Sequence, residues 1–238
     1  MKGKISLTSK KTCILLLAFG FLGLAVVIFF MAMWPNFKQF ASNQRSGLNY
    51  FAYFTYLSNT VVFIWLILTG ISGLCKKEKM QRFLIAPQIF GAVFLYTFIV
   101  GFIFYGILRW IVTPYPWSVW YARLADFFNH GLTPLFMTLL FIFSTNETQK
   151  KLTQKHVLLW LIYPFVYFVF SMVRGAIINW YPYPFINPAW QPYAAVSAPP
   201  ILLIILAAAA FMSVFYLLGF ATMKLSNKKI AKCGGQLN

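Results

Sequence analysis

Long apolar runs alternate along the chain with short polar segments, and every second polar segment is rich in Lys. A helix that crosses a bilayer needs roughly 20 mainly apolar residues. On that criterion the pattern predicts spanning helices over about 13–34, 50–74, 83–108, 124–144, 156–178 and 195–223. Pro87 falls near the start of the third, and Pro199-Pro200 in the first turns of the sixth, where amides lack helical partners and proline is tolerated. The first run also invites reading as a cleaved signal peptide. Its apolar core is longer than the roughly 7–15 residues such peptides use, and Cys13 precedes the run, which does not fit a lipoprotein cleavage site. It is therefore read as a span. No internal repeat or low-complexity linker interrupts the pattern. The expectation is an all-α membrane protein, one six-helix domain over 1–238.

Charge gives the expected direction. Lys and Arg concentrate on the cytoplasmic side of bacterial and eukaryotic membrane proteins. Fifteen of the 20 Lys and Arg fall on one side of the predicted topology: at the N-terminus, after spans two and four, and in the tail. Lys38, Arg45, Arg109, Arg123 and Arg174 fall on the other. Both termini are thus expected in the cytoplasm. The 238 residues are 61% hydrophobic and 10% charged, too little polar surface to cover a soluble domain. The net charge of +17 raises nucleic-acid binding, but the basic residues sit in short clusters between spans, as loops facing an anionic leaflet do. No nucleic-acid partner is expected. Cys13, Cys75 and Cys233 fall at or near the cytoplasmic side and match no metal-site spacing, so reduced thiols without a disulfide are expected.

The outer loops differ in character. Thr113-Pro114-Tyr115-Pro116-Trp117 and Trp180-Tyr181-Pro182-Tyr183-Pro184-Phe185 combine aromatic and proline residues. Trp and Tyr favour the headgroup level, and proline stiffens. These segments read either as interfacial anchors or as ordered caps over the outer mouth of the bundle.

Polar groups inside apolar spans are costly, so each raises a functional question. In span two, Thr55 and Asn59 are four apart on one helix face, with Ser58 beside them. Interhelical hydrogen bonding accounts for such residues as readily as chemistry does. In span four, Asp126 and His130 are also four apart, and His130 is the histidine placed within a span. An Asp there is positioned to orient or charge-tune the imidazole. His156, at a cytoplasmic end, reads as a helix-start or interface residue. Arg174, near the outer end of span five, is expected either to pair with Asp126 or to reach lipid phosphates. Arg109 and Arg123 are expected to do the latter. Thr55 and His130 lie at matched depth, as a nucleophile and its base would. Depth alone does not make them neighbours.

Taken in order, Phe54-Thr55-x-x-Ser58-Asn59, His130-x-x-x-Pro134, and Arg174-Gly175 followed by Trp180-Tyr181-Pro182-Tyr183-Pro184-Phe185 resemble the bacterial six-helix Pr-six-Pr family. The resemblance covers most of the chain. That family is distantly similar to the eukaryotic androgen-induced and androgen-dependent membrane hydrolases, six-span proteins with cytoplasmic termini that hydrolyse fatty-acid esters of hydroxy fatty acids. What the resemblance implies is a catalytic threonine at Thr55, a catalytic histidine at His130, and a bacterial plasma membrane. Tyr183-Pro184-Phe185 matches their aromatic–proline stretch. Ser58-Asn59 and Arg174-Gly175 depart from the eukaryotic pattern.

Two functions compete at this stage. The first is an intramembrane hydrolase or acyl transferase acting on a lipid-like ester. Thr55 attacks, His130 takes the proton, Asp126 supports it, and Asn59, Ser58 or Arg174 stabilises the oxyanion. Spans two, four and five line the site, capped by Trp180, Tyr181, Tyr183 and Phe185. The second is a small transporter or lipid-binding protein that uses the same cluster as a ligand site. A structural subunit is the remaining reading. One histidine and one nearby carboxylate fall short of a catalytic zinc set, and no phosphate-binding loop is present. Neither metal nor cofactor is expected, and the partners are membrane lipids.

Overall fold

The computed structural model describes residues 5–33, 47–111, 120–145, 150–190, 192, 196 and 198–234. The first aromatic–proline segment, Thr113 to Trp117, and the residues Lys2, Lys4, Lys38 and Arg45 used for orientation lie outside the described residues. Seven helices carry the fold: α1 (Lys10–Met33), α2 (Phe54–Leu74), α3 (Glu78–Leu84), α4 (Pro87–Leu108), α5 (Trp120–Phe143), α6 (Gln154–Ile178) and α7 (Pro200–Gly234). All but α3 are long and apolar enough to cross a membrane. The protein is a six-helix bundle of the kind a multi-pass integral membrane protein forms. Among the described residues the β-structure is limited to one isolated bridge, between Ile5 and Ser144.

The boundaries differ from the sequence pattern in several places. Phe83 belongs to the short α3, and Pro87 opens α4 at a position where its missing N–H costs nothing. The fourth span begins earlier, at Trp120. The fifth has an irregular turn at Leu161, three residues before Pro164, as expected where a proline cannot donate to the preceding turn. The sixth opens at Pro200, not near residue 195, and continues past Met223 to Gly234. At the start of α6, His156 closes a capping box with Thr153, its Nδ1 accepting from the Thr153 N–H at 3.0 Å.

Side-chain contacts establish how the helices run. Along the α1–α2 seam, Gly20 faces Phe63 and Ile67, and Gly70 faces Cys13 and Leu17, an antiparallel register. Glycine lets these backbones approach closely, which is how membrane helices gain packing without a hydrophobic driving force between them. Trp65 stacks on Phe90 at 5.1 Å, and Phe94 on Phe141 at 4.1 Å, so α4 lies against both α2 and α5. Trp160 Nε1 donates to the Gln88 carbonyl and Tyr96 Oη to the Trp160 carbonyl, both at 2.9 Å, which ties α6 alongside α4. α7 closes the bundle through Phe215, edge-on to Phe54, and through Asn227, which exchanges two hydrogen bonds of 2.8 Å with the Leu152 backbone.

The C-terminal ends of α4 and α6 and the N-terminal ends of α2 and α5 therefore gather at one end of the bundle. The outward faces of α1, α6 and α7 carry exposed Leu, Ile and Val, including Ile28, Val166, Ile177, Leu206 and Leu217. Bare apolar faces of this extent suit lipid as solvent.

Candidate functional site

The local sequence of α5 is what turns His130 toward α2. Pro134 has no N–H, and its ring crowds the carbonyl four residues earlier. The chain answers with a π-helical turn over Phe127–Leu132. The Thr133 N–H donates to the Phe128 carbonyl, five residues back, and the Thr133 hydroxyl reaches the same oxygen at 2.9 Å. In that register the Asn129 carbonyl should receive the N–H of residue 134, which proline lacks. Asn59 of α2 fills the gap, its Nδ2 donating to the Asn129 oxygen at 3.0 Å. Such bulges often occur at functional sites because they rotate side chains out of the regular series.

Thr55 lies in the first turn of α2. Its N-cap, Tyr53, makes no side-chain cap. A short 3₁₀ turn, Gly47–Ala52, leads into this end. Two groups of α6 grip that turn: Tyr167 Oη donates to the Ala52 carbonyl at 2.6 Å, and Arg174 Nη2 donates to Asn49 Oδ1.

The two helices bring the Thr55 hydroxyl to 3.2 Å from His130 Nε2, with both residues buried. Residues 75 apart in sequence thus meet inside the bundle. Hydroxyl-to-Nε2 donation puts the ring proton on Nδ1, an assignment made from this network. Nδ1 faces Asp126 Oδ1 at 3.6 Å, one helical turn away on the same element. Phe104, at the start of a second π-helical turn (Phe104–Leu108), stacks on the imidazole at 3.8 Å and 9° and holds its plane.

Two cavities meet at Thr55. The first, about 370 Å³, is lined by Thr55, His130, Asp126, Arg109, Arg123 and Tyr183, among others. The second, about 360 Å³, is walled by aliphatic and aromatic side chains of α4, α6 and α7, such as Ile103, Phe168 and Met212. Thr55, Leu108 and Tyr183 border both.

The other predicted site residues take different places. Ser58 Oγ hydrogen-bonds Tyr163 Oη at 3.0 Å, and Asn59 is committed to Asn129; neither borders either of these two cavities. Arg174 does not meet Asp126. It engages Asn49, and its guanidinium stands over the Trp180 ring at 4.9 Å. Arg109 and Arg123, expected at lipid phosphates, line the first cavity with Asp126. Spans three and six also contribute walls, beyond spans two, four and five.

The strap after α6 is ordered by its aromatic residues. It starts where Asn179 adopts a left-handed conformation (φ 52°) and turns the chain back over the bundle. A Cβ at Gly175 would collide with the Tyr181 ring, so the close approach requires glycine. Trp180 and Tyr183 meet Tyr53 edge-on at 5.8 and 5.7 Å, and Phe185 stacks on Phe211 of α7 at 4.8 Å. The strap therefore bridges α2 and α7. The Tyr183 phenol lies beside the side chains of Thr55 and Tyr167 and the backbone of Phe54 and Thr55. Burial raises its pKa above that of an ordinary tyrosine and outweighs these contacts, which act to lower it. The phenol is therefore protonated at neutral pH and has a proton to donate.

Sequence reasoning passed over Phe104, Leu108 and the cavity-facing placement of Arg109 and Arg123. The signal for the bulge was present in His130-x-x-x-Pro134, since a proline four residues on removes the helical donor. Nothing in the pattern of α4 marks Phe104 as the ring under His130. Among the described residues no group of three or more His, Cys, Asp or Glu is placed to hold a metal ion. Cys13 is buried, Cys75 is exposed, and they are not joined. Comparison of the chain with protein-family models, curated proteins and solved structures finds no match.

Proposed function

We propose that the protein is an intramembrane hydrolase or acyl transferase acting on a lipid-like ester, with Thr55 as nucleophile and His130 as its base. One observation carries this reading: a threonine hydroxyl bonded to a histidine, at the junction of an apolar cavity and a second one that also holds Arg109, Arg123 and Asp126. An ester of a long acyl chain has the same two-part character. Its chain fits the apolar cavity, its polar portion faces Arg109, Arg123 and Asp126, and its carbonyl falls between them, at Thr55.

The chemistry follows from the contacts. Threonine is a weak nucleophile until a base takes its proton. Nε2 of His130 is within reach to take it as the oxygen attacks the ester carbon. Asp126, 3.6 Å from Nδ1, favours the imidazolium that forms. That separation is longer than a hydrogen bond, and catalytic contacts commonly tighten when substrate binds. The imidazolium then protonates the leaving alcohol, and an acyl group remains on Thr55. Water, or a second alcohol in the transferase case, removes it by the reverse sequence.

Topology fits the same proposal. With the Lys-rich segments and both termini in the cytoplasm, the site lies in the outer half of a plasma membrane, reached sideways from the outer leaflet. This is also the arrangement implied by the resemblance to the six-helix bacterial family.

The test uses the purified full chain in nanodiscs and a long-alkyl fluorophosphonate that reacts with activated Ser and Thr. Labelling of the wild type, lost in both Thr55→Ala and His130→Ala with their folding intact, supports the enzyme. An unlabelled, well-folded wild type whose cavities admit the probe refutes it, and favours lipid binding or transport with Arg109 and Arg123 as the anion-facing groups.

A further inference from the structure

Attack on an ester puts negative charge on the carbonyl oxygen, and fixed donors at that oxygen are usually the largest single source of stabilisation. The residues that the sequence offers for this task are engaged elsewhere: Asn59 with Asn129, Ser58 with Tyr163, and Arg174 with Asn49 and Trp180. Tyr183 is a donor placed beside the nucleophile. It borders both cavities, as Thr55 does, and its phenol lies beside the Thr55 side chain.

We propose that the Tyr183 hydroxyl is the oxyanion donor of this site, a catalytic group that binds the ester carbonyl oxygen as Thr55 attacks. The inference rests on the proposed reaction at Thr55. Three features of the strap fit the task. The Tyr183 ring is held on two sides, edge-on by Tyr53 at 5.7 Å and stacked by Phe185 at 5.3 Å, so its hydroxyl is preorganised. Burial keeps the phenol protonated, and a protonated phenol donates where a phenolate cannot. The backbone of Phe54 and Thr55, at the N-terminal end of the 21-residue α2, lies beside the same phenol, so the positive end of the helix dipole faces this hydroxyl.

The step balances without another reactant. The Thr55 oxygen forms a bond to the carbonyl carbon, and its proton passes to His130 Nε2. The carbonyl π electrons move to the oxygen, which accepts a hydrogen bond from Tyr183. Collapse restores the carbonyl and breaks the ester C–O bond, and the leaving oxygen takes the proton from His130. Tyr183 donates a hydrogen bond throughout and never transfers its proton.

Fluorophosphonate labelling tests this directly, because the phosphoryl oxygen occupies the carbonyl oxygen's place. Tyr183→Phe keeps the ring and its contacts with Tyr53 and Phe185 and removes only the donor. We expect labelling of Thr55 to slow by about 10²–10³-fold, with the probe concentration for half-maximal rate little changed and thermal unfolding in nanodiscs near that of the wild type. Labelling within threefold of wild type overturns the proposal while leaving the Thr55–His130 reading standing. A wild type that does not label at all removes the reading on which it rests. If Tyr183→Phe unfolds, difluorotyrosine at 183 keeps the hydroxyl but lowers its pKa. Its labelling rate should then fall at alkaline pH, where the wild type's does not. Superimposable pH profiles overturn the proposal.

Discussion

Asn59→Leu should separate stability from activity. Leucine matches asparagine in shape and removes both ends of its amide. The Nδ2 end donates to the Asn129 carbonyl, which Pro134 has deprived of its backbone donor. Losing it strands a carbonyl away from water, at about 1–3 kcal/mol, or nearer the average of about 0.6 kcal/mol found for hydrogen bonds between membrane helices. The Oδ1 end is buried with no hydrogen-bond partner among the described residues, so deleting it recovers a cost of the same order. The two nearly cancel, and the net change should be within about 1 kcal/mol, a melting shift of about 2–4 °C in a chain of this size. The rate should not be spared. Asn129 adjoins His130, and the bond is what pins the π-helical turn to α2. Freed of it, His130 Nε2 drifts from the 3.2 Å contact with Thr55, and a misplacement of about 1 Å costs about 10²-fold. Fluorophosphonate labelling rates and thermal unfolding, measured on the same nanodisc preparation, give both numbers. A mutant that labels as fast as the wild type refutes the pin. So does a loss of rate wholly explained by the fraction unfolded at the assay temperature.

Three further outcomes follow from the contacts around the site. Gly101→Ala builds a Cβ 3.0 Å from the His130 carbonyl oxygen and 3.0 Å from Pro134 Cβ. The backbone oxygen can yield only if the bulge moves, so destabilisation of about 1–3 kcal/mol is expected together with slower labelling. Unchanged melting and labelling would show that α4 does not hold the bulge. Asp126→Asn removes the charge 3.6 Å from Nδ1 and should slow labelling about 10- to 100-fold, the equivalent of about 1.4–2.7 kcal/mol in the barrier. A wild-type rate excludes a role for that carboxylate. Ala208→Phe fills the apolar cavity and should depress labelling by a long-alkyl probe while sparing a methyl or ethyl one. Equal slowing of both would argue against an acyl chain lying there.

Much of the architecture follows from composition and period alone. Twenty-residue apolar runs have few ways to satisfy their backbone in lipid, and the helix, which closes every hydrogen bond within its own segment, needs no partner to do so. The spans over 50–74 and 156–178 were accordingly legible to within a few residues. So were the spacings that belong to one helix, Thr55 with Asn59 and Asp126 with His130, because a turn of helix dictates which residues share a face. Pro182 and Pro184 marked the strap as a stiffened segment, either an interfacial anchor or a cap.

What required the tertiary structure is whatever depends on two helices at once. Depth placed Thr55 and His130 at one level, but rotation about each helix axis decides whether their side chains meet. The rotation of His130 comes from a bulge that Pro134 provokes and Asn59, on another helix, completes. Arg174 could be read toward Asp126 from sequence, yet Asn49 and Trp180 lie closer once α6 packs beside the Gly47–Ala52 turn. Phe104 under the imidazole and the paired cavities at Thr55 depend on how α4, α6 and α7 are arranged. Their apolar faces are chemically alike, and period alone does not distinguish a face that meets lipid from one that encloses a cavity. Apolar run length and helix period give the number of spanning helices and the residues able to do chemistry; the packing of one helix against the next decided which of them meet.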